Sequence, residues 1–123
     1  MELINQVTCK ELSQKMCELG FKQESFFYWW NGKVEWVHPN KRRYAKSTKI
    51  AAFTVAELGE MLPYKIKDWY LEIVKEKKNV FYVAYSGGKW GFEVMGNKCF
   101  RDKSEADARA KMLIWLKENG YLK

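Results

Sequence analysis

The residues of this sequence with the most direct metal-binding or nucleophilic chemistry are three cysteines and a single histidine: Cys9, Cys17, Cys99 and His38. A zinc site needs these ligand types in tight clusters, and Cys9 and Cys17 stand about two helical turns apart without a CxxC pair. A Cys–His nucleophile would need an activating environment and an orienting third group, which no motif around Cys17 and His38 supplies. The sequence therefore predicts no metal, no cofactor and no catalytic residue.

Carboxylates and a glycine pair are the next candidates for chemistry. Glu57 and Glu105 stand where helix-capping acids are expected, so we interpret them as structural rather than as general acids or bases. Gly87-Gly88 lacks the GxxxxGK[ST] spacing of a phosphate loop and leads into a strand instead of a helix. We interpret the chain as a non-enzymatic protein.

A basic segment, residues 41–49, suggests a binding function. It contains five basic residues and one tyrosine but no acid: Lys41, Arg42, Arg43, Tyr44, Lys46 and Lys49. Lysine and arginine neutralise phosphates and tyrosine can stack on a base, so nucleic-acid binding is the alternative function that we predict. A solvated loop that protects a sheet edge would have the same composition, and Pro39 before it argues against a central strand.

An aromatic hairpin provides the second candidate for binding. Asn31-Gly32 between two β-prone runs predicts a two-residue turn, which places Trp30 opposite Lys33 and makes one hairpin face wholly apolar. The other face, here called the hairpin surface, combines aromatic and charged side chains: Phe26, Tyr28, Trp30, Lys33 and Glu35. In water these rings would mark a contact for a protein partner or a second copy, whereas under a helix they would form a second core layer.

Three helices are predicted around these strands. Thr8, Thr54 and either Asp102 or Ser104 each precede an acid by three residues, the spacing of a capping box. The predicted helix ends are Gly20, Pro63 and Gly120. The last helix has a core-facing stripe at Ala106, Ala110, Leu113 and Leu116.

Residues 69–94 predict a β-meander. Residues 69–74 suit either a strand or a helix, whereas 80–85 form a strand. A turn at Gly87-Gly88 would place six apolar side chains on one core face: Phe81, Val83, Tyr85, Trp90, Phe92 and Val94. We expect a second turn at Gly96-Asn97 and a short strand over residues 98–100.

These elements predict an α+β fold in which an antiparallel β-hairpin and meander pack against about three helices. The 123 residues, 47% of them hydrophobic and 16% aromatic, are enough for a single domain over residues 1–123 and too apolar for intrinsic disorder. A hairpin, a strand-like stretch, a cap and a helix occur twice in this order. The chain is therefore compatible with pseudo-repeated β-hairpin–helix halves.

Three segments carry a family resemblance: residues 54–63 (TVAELGEMLP), residues 106–116 (ADARAKMLIWL), and the first helix with the hairpin that follows it. They resemble small proteins of unknown function that are encoded in prophages and other mobile elements of gut bacteria, and the likeness covers most of the chain. The segments are helix patterns rather than catalytic signatures, so no functional residue is carried over. The resemblance implies an accessory role in a phage or mobile element.

Charge and cysteine content indicate where such a protein acts. The net charge of +7 is compatible with a polyanionic partner, and three cysteines that cannot all pair favour a reducing compartment. The first residues lack a basic start followed by an apolar stretch, and no run approaches the ~18 apolar residues of a membrane span. We therefore expect a cytoplasmic, non-catalytic protein that binds a protein partner or a second copy through the hairpin surface, without a membrane partner.

Overall fold

The computed structural model describes residues 5–30, 32–36, 50–77, 79–88, 91 and 93–122. Three helices and seven strands occur in these ranges: α1 (Lys10–Glu18), β1 (Phe27–Trp30), β2 (Lys33–Trp36), β3 (Ile50–Ala51), α2 (Val55–Met61), β4 (Lys65–Ile66), β5 (Trp69–Glu76), β6 (Val80–Gly87), β7 (Glu93–Asp102) and α3 (Glu105–Glu118). Two antiparallel sheets and these helices form an α+β fold, as the sequence predicts.

The first sheet has three strands in the order β2-β1-β3. The hairpin register follows from the two-residue turn, and all four predicted pairs are present: Phe27 with Trp36, Tyr28 with Glu35, Trp29 with Val34 and Trp30 with Lys33. The short strand β3 pairs with the other edge of β1, so the aromatic strand lies in the centre of the sheet.

The second sheet has four strands in the order β4-β5-β6-β7. Residues 69–74, which suit a strand or a helix by composition, belong to strand β5. Leu71 and Ile73 contact the main core, whereas Tyr70, Glu72 and Val74, which alternate with them, are exposed. Burial therefore follows the period of two that an antiparallel strand shows.

The predicted turns of the meander are wrong. Gly87 pairs with Glu93, so Gly87 still belongs to β6 and the connection is longer than a two-residue Gly-Gly turn. Val94 lies opposite Ser86 rather than on the face of Val83 and Tyr85, and residues 90 and 92 lie outside the described part of the chain. Gly96 and Asn97, both with positive φ, form a bulge inside β7 instead of a turn before a short strand.

Two of the three predicted helix starts are confirmed. Thr54 caps α2 in a complete capping box with Glu57, and Ser104 caps α3 through the backbone N–H of Asp107. The N-cap of α1 is Cys9 rather than Thr8. The Thr8 hydroxyl instead accepts a hydrogen bond from the backbone N–H of Phe53 at 3.1 Å, because the two residues lie side by side in the interior.

Helix α3 is the centre of the main core. The four residues of its predicted stripe are fully buried, and the cluster around them includes Met16, Tyr28, Phe53, Leu58, Val83 and Tyr85. A second cluster on the opposite side of the hairpin contains Val7, Trp29 and Ala52, with Phe27, Val34 and Ile50 packed against it. The three-stranded sheet therefore has apolar neighbours on both faces.

Candidate binding surfaces

Tyr28, at the centre of the predicted hairpin surface, is buried. Its side chain is only 6% exposed and belongs to the main core. Its hydroxyl donates to the backbone carbonyl of Gln23 at 3.2 Å and accepts from the backbone N–H of Ser25. Tyr28 already has core and hydrogen-bond partners within its own chain, so the expectation that it forms part of a docking surface is corrected.

The burial of Tyr28 divides the hairpin surface in two. Phe26 is 50% exposed and Trp30 is 38% exposed, and the two lie four residues apart along the chain, about 13 Å at the rise of a β-strand. Lys33 is exposed beside Trp30, and Glu35 is half-buried opposite Tyr28. The predicted residues thus form two small exposed sites with a core residue between them.

The basic segment of residues 41–49, which carries the predicted nucleic-acid contacts Lys41, Arg42, Arg43, Tyr44, Lys46 and Lys49, lies outside the described residues. His38 lies outside them as well. The three cysteines are described: each is a free thiol and half-buried.

A continuous polar and aromatic surface lies on the second sheet. The side of β4–β7 that faces away from α3, here called the outer sheet face, is formed by Lys65, Tyr70, Glu72, Val74, Glu76, Val80, Tyr82, Ala84, Ser86, Val94, Cys99 and Arg101. The strand registers place these residues side by side, with Val74 opposite Tyr82 and Tyr82 opposite Arg101. Tyr70 is 53% exposed and Val74 is 39% exposed, so both side chains meet solvent, whereas Ala84, opposite Glu72, is fully buried.

Cations hold the two tyrosines of the outer sheet face in place. The Lys65 ammonium lies 5.3 Å from the ring centre of Tyr70, and the Arg101 guanidinium lies 4.8 Å from that of Tyr82. Both distances fit a cation–π contact. Partial burial raises the pKa of Tyr82. Its hydroxyl, like that of any tyrosine at neutral pH, is protonated and can donate a hydrogen bond to a partner.

Opposite charges balance on the outer sheet face. Arg101 donates to Glu76 at 2.7 Å, and Ser86 donates to Glu72 at 2.7 Å. With Lys65 and Arg101 against Glu72 and Glu76, the face carries no net charge, although the whole chain carries +7. The arrangement differs from a polyanion-binding surface, which needs an excess of cations.

The outer sheet face is not among the surfaces predicted from the sequence, because the hairpin has the denser run of aromatic residues. The signal was present as the alternation of polar and apolar residues in β5, with Tyr70, Glu72 and Val74 on one side. This alternation indicates an exposed face only if residues 69–74 form a strand, because a helix would distribute Tyr70, Glu72 and Val74 around its axis.

A cleft between the two sheets is the second surface feature. Its volume is about 940 Å³, and its walls include Phe27, Thr54, Lys75, Phe81, Lys103 and Ser104. This volume is near the upper end of the range for small-ligand sites. The cleft lies at the starts of both α2 and α3, whose capping residues Thr54 and Ser104 face it.

The two acids in the wall of the cleft are held by cations. Asp102 accepts from Lys111 at 2.7 Å and from the backbone N–H of Ser104, and Glu105 pairs with Arg109. Burial alone would raise the pKa of Asp102, but these hydrogen bonds lower it below its usual value. A permanently ionised, paired carboxylate is a poor general acid or base at neutral pH.

Asp107 and Cys9 link the starts of α3 and α1. The Asp107 carboxylate accepts from the backbone N–H of Cys9 at 2.8 Å. Desolvation raises the pKa of Asp107 above its usual value, and it likewise raises the pKa of the Cys9 thiol. A thiol with a raised pKa is a weaker nucleophile at neutral pH, so the contact is interpreted as structural.

Within the described ranges, no group of three or more histidine, cysteine, aspartate or glutamate side chains is arranged to hold a metal ion. No helix among the same residues combines the length and apolar character needed to cross a membrane. Comparison with protein-family models, with curated proteins and with solved structures finds no match.

Proposed function

We propose that the protein is a non-catalytic binding module that associates with a second copy of itself through the outer sheet face. The observation that carries this proposal is the exposure of Tyr70 and Val74, on either side of Glu72 along β5, in a charge-balanced sheet surface. The prophage resemblance supports an accessory role in a mobile element, and the proposal places that role in the cytoplasm.

Charge favours a second copy as the occupant. Two chains that each carry +7 repel each other over most of their surfaces, and the repulsion is weakest where a face is neutral. A symmetric dimer brings the same patch of both subunits together, so the patch must complement itself. The outer sheet face meets this condition because it presents both Lys65 and Arg101 and their opposites, Glu72 and Glu76.

Side-chain type also favours a protein contact. Tyrosine and arginine are enriched at protein interfaces, where they supply apolar area together with a polar end. Tyr70, Tyr82 and Arg101 provide these groups on one face. Their existing cation–π and ion-pair contacts reduce the side-chain entropy that would be lost on binding.

The size of the face predicts a weak dimer. Strands β5 and β6 have eight residues each, whereas β4 has two. Four strands of eight residues would span at most about 26 Å by about 14 Å, which is less than the roughly 800 Å² per partner of a standard interface. We therefore expect a dissociation constant on the order of 10–100 μM.

Sedimentation velocity over a concentration series tests the proposal. The wild-type protein should change from monomer to dimer between about 5 and 500 μM. Tyr70→Thr/Val74→Thr should remain monomeric because it removes the two most exposed apolar side chains of β5 but keeps residues that favour strands. Tyr64→Thr is the matched control, because Tyr64 is 77% exposed. Its backbone carbonyl accepts a hydrogen bond from the N–H of Leu71, a residue of the core-facing side, so Tyr64 lies off the outer sheet face.

Two results would contradict self-association at this face. One is a wild-type protein that stays monomeric at the highest concentration. The other is dimerisation that survives Tyr70→Thr/Val74→Thr but is lost in Trp30→Ser, which would return the contact to the hairpin surface.

Nucleic-acid binding through the basic segment is the second candidate function, favoured by five cations without an acid in residues 41–49. A salt titration of binding to single- and double-stranded DNA and to RNA tests it. Each phosphate contact contributes about 0.7–0.9 to the slope of log affinity against log salt, so Arg42→Ala/Arg43→Ala should reduce the slope by about 1.5. Absence of binding at low salt would exclude this function.

A further inference from the structure

The cleft contains groups that the proposed self-association does not use. Phe27 approaches it from the three-stranded sheet and Phe81 from the four-stranded sheet, and both side chains are only half-buried. Lys75 and Lys103, both exposed, belong to the same wall. Aromatic surface and cationic groups therefore face one cavity of about 940 Å³.

The two lysines of the cleft are available for an anion. Among the described residues neither Lys75 nor Lys103 forms an ion pair, and the Lys75 ammonium lies over the Phe81 ring at 5.9 Å. The acids beside them, Asp102 and Glu105, are already paired with Lys111 and Arg109. The local potential in the cleft is consequently positive.

Hydroxyl donors add to this set. The Thr54 and Ser104 oxygens accept hydrogen bonds from the backbone of α2 and α3, which leaves each hydroxyl proton able to donate towards the cleft. Phosphate oxygens are strong acceptors for lysine and hydroxyl donors, and every nucleobase can stack on an aromatic ring.

We propose that the cleft binds a single nucleotide unit, with the phosphate at Lys75 and Lys103 and the base against the rings of Phe27 and Phe81. The volume suits a ligand of this size better than a lone inorganic ion. A free mononucleotide and the end of a single-stranded nucleic acid present the same chemistry to the site. The proposal is independent of self-association, because none of its residues belongs to the outer sheet face.

Calorimetric titration with adenosine 5′-monophosphate, adenosine and inorganic phosphate tests this site. The wild-type protein should bind the monophosphate at least tenfold more tightly than either fragment, because only the intact nucleotide uses the rings and the cations together. Lys103→Ala should weaken binding of the monophosphate about tenfold through loss of one charge-assisted contact. Lys98→Ala, which removes another exposed lysine that does not line the cleft, should change the affinity for the monophosphate less than about twofold.

A 5′-phosphorylated oligothymidylate identifies the source of the nucleotide. If nucleic-acid ends are the natural ligand, the oligonucleotide should bind more tightly than the monophosphate and compete with it. If free nucleotides are the ligand, it should bind no better. In both cases Lys103→Ala must weaken binding of whichever of the two ligands binds the wild-type protein more tightly.

Three results would overturn the nucleotide site. They are absence of monophosphate binding at about 1 mM, equal affinity for the monophosphate and inorganic phosphate, and equal loss of affinity in Lys103→Ala and Lys98→Ala. Thermal denaturation of both variants shows whether the fold is intact, and sedimentation remains a separate readout of self-association.

Discussion

The two sheets of this protein differ in how their faces are covered. In the three-stranded sheet, Tyr28 and Trp29 are adjacent on β1 and point to opposite sides, yet they are only 6% and 7% exposed. In the four-stranded sheet, Leu71 and Ile73 contact the core while Tyr70 and Val74 are exposed. The first sheet has core residues on both sides, although Trp30 at the end of β1 is exposed, whereas the second has one core side and one side with exposed Tyr70 and Val74.

The comparison shows that aromatic content alone does not identify a binding surface. The hairpin is the most aromatic segment of the chain, but its rings supply apolar area to two separate clusters. The outer sheet face has fewer rings, and charged residues lie among them. The two faces differ in what covers them, because Tyr28 packs in the main core whereas Tyr70 and Val74 are exposed.

The largest expected effect is the loss of stability in Trp29→Ala. Trp29 fills the second cluster, and its indole N–H donates to the backbone carbonyl of Thr8 at 2.8 Å. Removing it should lower the free energy of unfolding by about 3–5 kcal/mol in urea denaturation. Trp30→Ala, the matched change at the next position, should cost about 1 kcal/mol, and equal losses would contradict the assignment of faces.

Gly96→Ala tests the bulge that shapes the four-stranded sheet. Gly96 has a φ of +63°, and an added Cβ would lie 2.8 Å from the Trp115 ring of α3. Strain and the clash together should cost about 2–3 kcal/mol of unfolding free energy. Gly91→Ala is the control because Gly91 has a φ of +74° with nothing within 4 Å, so it reports the backbone strain alone, about 1 kcal/mol.

A loss in Gly91→Ala as large as that in Gly96→Ala would show that contact with Trp115 is unimportant. The inner side of the four-stranded sheet would then be less tightly packed on α3 than the structure indicates.

Local rules predicted more of this fold than of its surfaces. The hairpin register follows from Asn31-Gly32, and the start of α2 follows from Thr54 and Glu57, since both depend on residues close in sequence. Burial of Tyr28 depends on Phe53, Leu58 and α3, which lie far along the chain. Alternation assigns residues to faces but does not show what covers each face.

Two other errors have similar causes. Thr8 is a residue type that is common at N-caps, but its hydroxyl accepts a hydrogen bond from the backbone N–H of Phe53, forty-five residues away. Gly96-Asn97 has the composition of a turn, and positive φ serves a bulge equally well. The residues of the outer sheet face are neighbours only if residues 69–74 form a strand, and the sequence alone leaves these residues compatible with a strand or a helix.

Asp102 links the end of β7 to α3 and should make stability depend on pH. Hydrogen bonds from Lys111 and Ser104 lower its pKa against the effect of burial, so the ionised form stabilises the fold above the ordinary value of 3.8. This contribution is lost as the pH falls below that value. Asp102→Asn should therefore cost about 1 kcal/mol at pH 7 and progressively less below pH 3.8, measured by urea denaturation at each pH.

Asp107→Asn is the control for this pH dependence. Desolvation raises the pKa of Asp107, so its ionised form is disfavoured in the fold and the neutral amide should be harmless or slightly stabilising at pH 7. Two results would refute the role of ionised Asp102. One is a loss of unfolding free energy in Asp107→Asn at pH 7 that equals the loss in Asp102→Asn. The other is a loss in Asp102→Asn that stays constant down to about pH 2.

The smallest expected effect on stability is at the outer sheet face itself. Tyr70→Thr/Val74→Thr removes exposed side chains from β5, which pairs along its whole length with β6 and at Trp69 and Tyr70 with β4, so it should change the free energy of unfolding by about 1 kcal/mol or less in dilute protein. A loss comparable to that of Trp29→Ala would show that this face is covered like the hairpin.

The most direct test of the central claim is an isotope-filtered NMR experiment on a mixture of labelled and unlabelled protein at about 1 mM, well above the expected dissociation constant. If the outer sheet face joins two copies, the Val74 methyl groups of the labelled chain will show contacts with the Tyr70 or Tyr82 rings of the unlabelled chain. Intermolecular contacts confined to Phe26 and Trp30, or none at all, would contradict it.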